Sequence, residues 1–117
     1  DMPAAYLLAD FAILPTLVPE SFGRAAVEPQ AMGRVVIASN HGGVTETILD
    51  GVTGWLAPVG DSDAWAAALA HAIDLGPGKR QEMGVAGRKR ARQLYSAEAM
   101  CAATLAAYEA LLKVRAE

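Results

Sequence analysis

Residues 9–38 read ADFAILPTLVPESFGRAAVEPQAMGRVVIA, and this stretch decides the fold. Two short apolar runs, residues 9–15 and 35–38, flank a loop and a segment of helical composition that ends near Met32. A brief, nearly continuous apolar run is typical of a strand that is buried on both faces. The stretch therefore predicts a strand, a loop over residues 16–24, a helix and a second buried strand.

The same alternation of strands and helices continues toward both ends of the chain. Upstream, Pro3 follows a possible Asp1 cap and predicts the start of a helix. Downstream, the glycine-rich turn at residues 40–43 opens a short helix that runs to about Leu49. After a turn, residues 54–57 predict a third strand.

The remainder of the chain predicts three helices. Asp61 or Ser62 caps the first, and its apolar stripe comprises Trp65, Ala68, Leu69, Ala72 and Ile73. Gly-Pro-Gly at residues 76–78 breaks this helix, and a basic helix follows from about Lys79 to Leu94. Ser96 caps the last helix, whose apolar stripe comprises Met100, Thr104, Ala107, Tyr108 and Leu111.

This order of elements predicts an α/β fold. Right-handed crossovers place about three parallel strands side by side, with helices on both faces, which is half of a doubly wound, Rossmann-like sheet. The first strand would then lie at an edge, with apolar residues beside unpaired backbone groups. Because such edges are templates for pairing, we expect self-association through residues 9–15, or a longer protein that covers this edge.

Composition narrows the classes of function. The net charge of −3 argues against a nucleic-acid-binding protein. The single cysteine, Cys101, cannot form an internal disulfide, which favours a reducing cytoplasm. No apolar run approaches the roughly 18 residues of a membrane span. The 117 residues suit one domain, and an apolar element close to Asp1 suggests a piece of something longer.

Two carboxylates mark a candidate binding site. Glu20 lies in the predicted loop and Glu28 on the helix after it, and eight helical residues rise about 12 Å. That distance is similar to the span of a sugar, a diphosphate and a ribose. Carboxylates accept hydrogen bonds from hydroxyl groups, and the helix start near Gly23 suits phosphate. Spacing alone also permits a simpler interpretation, in which Glu28 is solvated and Glu20 only compensates the helix dipole.

The wider pattern resembles the family 4 (group 1) retaining glycosyltransferases, whose hallmark is an E-x7-E motif. The motif here is ESFGRAAVE at residues 20–28. The similarity continues through QAMG at 30–33, VIAS at 36–39, GGVTE at 42–46, DGVTGWL at 50–56 and PVGD at 58–61, and through GR at 87–88, YS at 95–96 and YE at 108–109. It therefore covers nearly the whole chain.

The resemblance implies a role for each site residue. Glu20 would contact hydroxyls of the donor sugar and act in catalysis, and Glu28 would contact the ribose. Donor-binding groups would also come from Ser21, Phe22, Gly23 and Arg24. The chain would be part of the C-terminal, nucleotide-sugar-binding domain of a two-domain GT-B fold, over residues 1–117. The acceptor domain and the basic residues that hold the diphosphate would lie elsewhere, so we expect this chain alone to be inactive.

The resemblance also implies that no metal or other cofactor is needed, and that the acceptor is a glycan or a lipid-linked glycan. Six basic residues between positions 79 and 92 could attract anionic lipids, so we expect a cytoplasmic protein that can also be peripheral at the inner face of the membrane. A solvated helix face explains the same residues.

Several alternatives stay open at this stage. Gly42 and Gly43 are either a donor loop or only a tight turn, and His41 is either a phosphate ligand or a surface residue. The whole chain could instead be a non-catalytic nucleotide-binding or interaction module, or part of a nucleotide-sugar epimerase of the same fold. Finally, Pro29 is unusual inside a helix, so we expect the helix to begin late, near Ala25 or Ala26, or to kink.

Overall fold

The computed structural model describes residues 1–115, so the last two residues of the predicted domain, 116 and 117, lie outside it. In this part of the chain the elements are α1 Met2–Leu8, β1 Phe11–Leu14, α2 Arg24–Ala31, β2 Val35–Ser39, α3 Val44–Thr47, β3 Gly54–Ala57, α4 Ser62–Asp74, α5 Gly76–Tyr95 and α6 Ala97–Arg115.

The three strands form one parallel sheet in the order β1-β2-β3. Ile13 of β1 lies opposite Ile37 of β2, and Ile37 lies opposite Trp55 of β3. Parallel strands in sequence order require a crossover through each intervening segment, and α2 and α3 lie in those segments. The predicted α/β fold is confirmed.

One face of the sheet packs on α2 and α3. Val36 and Ala38 of β2 form a buried core with Ala26 of α2 and with Val44 and Ile48, in and just after α3. Three partly buried residues from the two outer strands pack against this core: Ala12 and Leu14 of β1, and Leu56 of β3. Small residues such as Ala26 and Ala38 allow the helix and the sheet to approach closely.

The other face packs on α4 and α5. Side chains alternate along a strand, so Val35 and Ile37 point away from the first core, and both are fully buried. On this face Trp55 contacts His71 of α4 edge to face, and Phe11 lies beneath the Arg80 guanidinium of α5. Helices therefore cover both faces, as predicted.

The second half of α5 leaves the sheet and runs along α2. A Cβ added at Gly84 would lie 2.1 Å from the Gly33 carbonyl oxygen, and one added at Gly87 would lie 3.4 Å from the Gln30 side chain. Because neither glycine has a Cβ, the two helices approach closely here. The helix α5 thus contacts both layers, through β2 and through α2.

Local capping agrees with the sequence. The Asp1 carboxylate accepts a hydrogen bond from the Ala4 amide, and Asp61 accepts one from Ala64 at 2.9 Å. The Ser96 hydroxyl accepts a 3.1 Å hydrogen bond from the Ala99 amide. These three side chains therefore satisfy amides that have no partner inside their own helices.

Three predicted helix boundaries were wrong. The helix α2 begins at Arg24 rather than at Ala25 or Ala26, and it contains Pro29. It ends two residues after this proline, so only a short stretch of helix follows it. The helix α3 has a single turn and ends at Thr47, before Leu49. The helix α5 begins at Gly76 rather than near Lys79. Pro77 is tolerated in the first turn, because the backbone nitrogen at that position would have no hydrogen-bond partner within the helix.

Burial of the outer elements was also overestimated. Among residues 1–115 the strand β1 pairs only with β2, and Ile13 is 52% exposed, so β1 is not buried on both faces. Ile73 of the α4 stripe is 64% exposed. The whole predicted stripe of α6 is exposed as well. The edge position of β1 agrees with the sequence, and self-association through it stays a prediction.

Candidate functional site

The candidate site lies at the carboxyl ends of β1 and β2. The chain leaves β1 into residues 15–23, called here the first loop, and leaves β2 into residues 40–43, called the second loop. Thr16 of the first loop and His41 of the second are joined by a 3.1 Å hydrogen bond between Oγ1 and Nε2. His41 is thus a half-buried bridge between the loops. Open α/β sheets bind ligands at this edge.

The glycines of the second loop lie against the backbone of the first. The Gly43 amide donates a 2.8 Å hydrogen bond to the Glu20 carbonyl. A Cβ at Gly42 would lie 2.6 Å from the Glu20 carbonyl oxygen, and one at Gly43 would lie 2.5 Å from the Phe22 Cα. Glycine is therefore required here for close approach as well as for the turn, and the predicted donor loop lies beside Glu20 and Phe22.

The helix α2 begins without a side-chain cap. Gly23 occupies the N-cap position at φ +82°, where a Cβ would also lie 2.7 Å from Val44 Cγ1. Within residues 1–115, the amides of Arg24 and Ala25 donate no hydrogen bond to the backbone. Such free amides, at the positive end of the helix dipole, form a site for an anion.

The side chains of the first loop are open to solvent. Glu20 and Ser21 are exposed, and in the described part of the chain neither side chain has a hydrogen-bond partner. Phe22 is 44% exposed and packs edge to face on Tyr95, with ring centroids 5.4 Å apart. The Tyr95 hydroxyl in turn donates to the Glu46 carbonyl at 3.1 Å. The Phe22 contact anchors a loop whose polar groups stay available.

Glu28 is held from two sides. Its Oε1 accepts a 3.0 Å hydrogen bond from Arg24 Nη2 one turn earlier, and its Oε2 lies 3.5 Å from the Tyr6 hydroxyl of α1. Burial raises the pKa of Tyr6 above its ordinary value, and the negative charge of Glu28 raises that pKa further. The Glu28 side chain is still 41% exposed, so it can accept further hydrogen bonds.

Sequence reasoning missed Tyr6 and Tyr95 as neighbours of the site. Tyr6 precedes Glu28 by 22 residues, and Tyr95 follows Phe22 at the far end of α5. Each tyrosine lies beside a leucine within the last three residues of its helix, which is the available signal. That signal does not identify the partner, because the partner depends on how the helices pack.

Nowhere in residues 1–115 do three His, Cys, Asp or Glu side chains gather in a group that could hold a metal ion. No helix in the same range is long and apolar enough to cross a membrane.

Comparison with known proteins identifies the family. The model of "Glycosyl transferases group 1" matches residues 1–90. A D-inositol 3-phosphate glycosyltransferase of Kribbella flavida is 47% identical over 89 residues, which are 76% of this chain and 20% of that relative. The chain therefore spans about a fifth of the length of this relative.

Solved structures of similar proteins support the same family. A glycosyltransferase from Rickettsia africae is 32% identical with a TM-score of 0.86, over 93% of this chain and 29% of that one. Anabaena HepE in complex with UDP-glucose is 27% identical with a TM-score of 0.80, over 91% of this chain and 30% of that one. Together with the match to residues 1–90, this similarity identifies the chain as a member of the group 1 glycosyl transferase family.

Proposed function

We propose that this chain binds the donor of a retaining glycosyltransferase, which transfers a sugar from a nucleotide-diphosphate sugar to an acceptor. One observation carries the proposal. An uncapped helix start, with free amides at Arg24 and Ala25, lies between an unpartnered carboxylate at Glu20 and a held carboxylate at Glu28. A ligand with a charged centre and hydroxyl groups at both ends fits this order of groups.

The diphosphate is expected at the start of α2. Its charge would be stabilised by the free amides and the helix dipole, and by the Arg24 guanidinium, whose side chain is 82% exposed. The bound UDP-glucose of the HepE structure supports a donor of this class. We infer that residues outside this chain supply the other cations of the site.

Glu20 is expected to bind hydroxyls of the donor sugar, and Glu28 the ribose hydroxyls. An ionised carboxylate accepts strong hydrogen bonds from hydroxyl donors. Ser21 and Phe22 would line the sugar and phosphate through their backbone, and Gly42 and Gly43 would hold the first loop in place. With these roles, the bound donor would extend from the first loop toward α1.

The reaction breaks the bond between the anomeric carbon and the diphosphate oxygen, forms a bond from that carbon to an acceptor hydroxyl oxygen, and passes the hydroxyl proton to the departing diphosphate. Retention requires that the new bond form on the face that the diphosphate leaves. Negative charge grows on the departing diphosphate, so preorganised amides at the start of α2 would lower the barrier. We propose that this stabilisation operates without a metal ion, in a cytoplasmic enzyme whose acceptor domain lies outside this chain.

The test is donor binding by the full-length protein and its Glu28→Ala variant. Isothermal titration with UDP-, GDP- and ADP-sugars first identifies the base. Loss of one charge-assisted hydrogen-bond site should then weaken binding by about 1.5–3 kcal/mol. Glu109→Ala, an exposed glutamate of α6, is the matched control and should bind as the parent does. Unchanged affinity in Glu28→Ala would remove Glu28 from the donor site.

A further inference from the structure

A polar cavity lies where β1 and β2 begin, at the end of the sheet opposite to the candidate donor site. Its volume is about 420 Å³, which is within the range of small-molecule sites. The charged residues that line it are Asp10, Arg34, Arg80 and Arg88. Asp10 directly precedes β1, Arg34 directly precedes β2, and both other arginines belong to α5. The cavity is therefore separated by the length of the strands from the loops that carry Glu20 and Gly43.

Two of the three arginines are fixed by contacts within the chain. Arg34 Nη2 donates a 2.7 Å hydrogen bond to the Leu7 carbonyl at the end of α1, and its Nε is buried without a partner in residues 1–115. Arg80 lies over the Phe11 ring, 5.2 Å from its centroid, and 3.5 Å from Asp10. Held in this way, their guanidinium groups lose little conformational entropy when a ligand binds.

The third arginine is free. Within residues 1–115, Arg88 forms no hydrogen bond and no ion pair, and it is exposed. Three guanidinium groups thus face one cavity that contains a single carboxylate, and that carboxylate is itself 81% exposed. The excess positive charge is about two units, which matches the charge of a phosphate monoester near neutral pH.

We propose that this cavity binds a phosphoryl anion, a site distinct from the donor site. An arginine guanidinium can bind two phosphate oxygens at once, and here two anchored guanidinium groups and one free group line the same cavity. The phosphoryl group can belong to a free phosphate ester or to a lipid headgroup. Lys89 and Arg92 continue the positive surface along α5 beyond the cavity, so an extended anionic surface would contact them, whereas a small phosphate would not.

The test is a titration of the full-length protein with inorganic phosphate, followed by amide shifts in ¹H–¹⁵N spectra. The amides of Gly33 and Arg34 report on this cavity, and those of Gly23 and Arg24 report on the proposed donor site at the start of α2. We expect saturable shifts at Gly33 and Arg34 that persist when a nucleotide occupies the donor site. Because Arg88 has no partner to lose, Arg88→Ala should fold normally and weaken phosphate binding about tenfold.

Matched controls separate the site from general charge. Arg92→Ala removes the same charge from the same helix outside the cavity and should leave the phosphate titration unchanged. Arg80→Lys keeps the charge but loses the guanidinium group, so it should weaken binding. Equal effects of Arg88→Ala and Arg92→Ala on the titration with inorganic phosphate, or the absence of saturable shifts at Gly33 and Arg34, would overturn the proposal.

Vesicles distinguish the two sources of the anion. Vesicles of phosphatidylcholine with and without phosphatidic acid are sedimented with the parent protein, Arg88→Ala and Arg92→Ala. Binding that requires phosphatidic acid and is lost in both variants assigns the site to a lipid headgroup. No vesicle binding, together with a saturable phosphate titration that depends on Arg88, assigns it to a free phosphate ester.

Discussion

The first and second loops leave neighbouring strands at the same edge of the sheet, yet they contribute in opposite ways. The first loop exposes side chains, with Glu20 and Ser21 open to solvent. The second contributes by lacking side chains, because a Cβ at Gly42 or Gly43 would overlap the first loop's backbone. In the proposed donor site, the first loop carries side chains that would bind the ligand, and the second loop fixes the position of the first loop's backbone. The glycines of this motif therefore matter because they have no Cβ atom.

Gly43→Ala is expected to have the largest effect on how the second loop positions the first. Gly43 has an ordinary helical φ of −63°, so alanine adds no backbone strain there. It does add a methyl group that would lie 2.5 Å from both Phe22 Cα and the Ser21 carbonyl oxygen. We expect the first loop to shift, with loss of about 1–3 kcal/mol of unfolding free energy and weaker donor binding. Chemical denaturation and donor titration measure the two effects.

Gly78→Ala is the matched control for Gly43→Ala. A Cβ at Gly78, in the first turn of α5, would have no neighbour within 4 Å. The substitution should be neutral or stabilise the protein by up to about 1 kcal/mol, with normal donor affinity. If Gly43→Ala behaves like this control, the second loop does not position the first.

Glu20→Gln tests the proposed role of the first loop, whose side chains would bind the donor. We propose that Glu20 contacts the sugar rather than the nucleotide, so this substitution should lower turnover by about tenfold or more, which is at least 1.4 kcal/mol of barrier. Affinity for the nucleoside diphosphate should change little. Steady-state kinetics and titration with the diphosphate separate the two quantities. Normal turnover in the variant would remove Glu20 from catalysis, and a loss confined to diphosphate affinity would assign it to the nucleotide instead.

The smallest expected effect comes from Tyr6→Phe, which removes a contact made from outside both loops. The Tyr6 hydroxyl lies 3.5 Å from Glu28, so its loss should cost less than about 1 kcal/mol of unfolding free energy near pH 8. The pKa of Tyr6 is raised above 10.0, so the folded state favours the neutral phenol. The resulting stabilisation is present below pH 10 and is lost as the pH rises through the raised pKa.

Denaturation of the parent and of Tyr6→Phe at pH 8 and above pH 10 checks this sign. The parent should lose more stability than the variant between the two conditions. A constant difference across this range would mean that Tyr6 and Glu28 are not coupled.

Features of the sequence that depend on neighbours in the chain were predicted well. The strand β2 was identified from Val-Val-Ile-Ala, because a strand buried on both faces has a continuous apolar composition. The caps Asp1, Asp61 and Ser96 were identified because each bonds an amide three residues later. Local chemistry decides these features, so the sequence alone suffices.

Features that depend on packing were predicted less well. Composition alone made Ile13 look as buried as Ile37, but only β2 has a strand on each side. Pro29 suggested a late helix start, yet the α2 start is set by the φ of +82° at Gly23. The support of Glu28 by Tyr6 requires α1 to pack on α2. For Ile13 and Glu28 the deciding contacts lie far away in sequence, whereas at α2 the backbone conformation of the neighbouring Gly23 decides the start.

The passage of α5 across both layers has a consequence for how the molecule opens. Near its start Arg80 contacts β1, and further along Gly84 and Gly87 lie against the loop after α2 and α2 itself. Detachment of this one helix would therefore admit water to both sides of β2. We therefore expect the two layers to form a single cooperative unit in amide hydrogen exchange, in which the amides of β2 and of central α5 exchange through the same opening event rather than layer by layer.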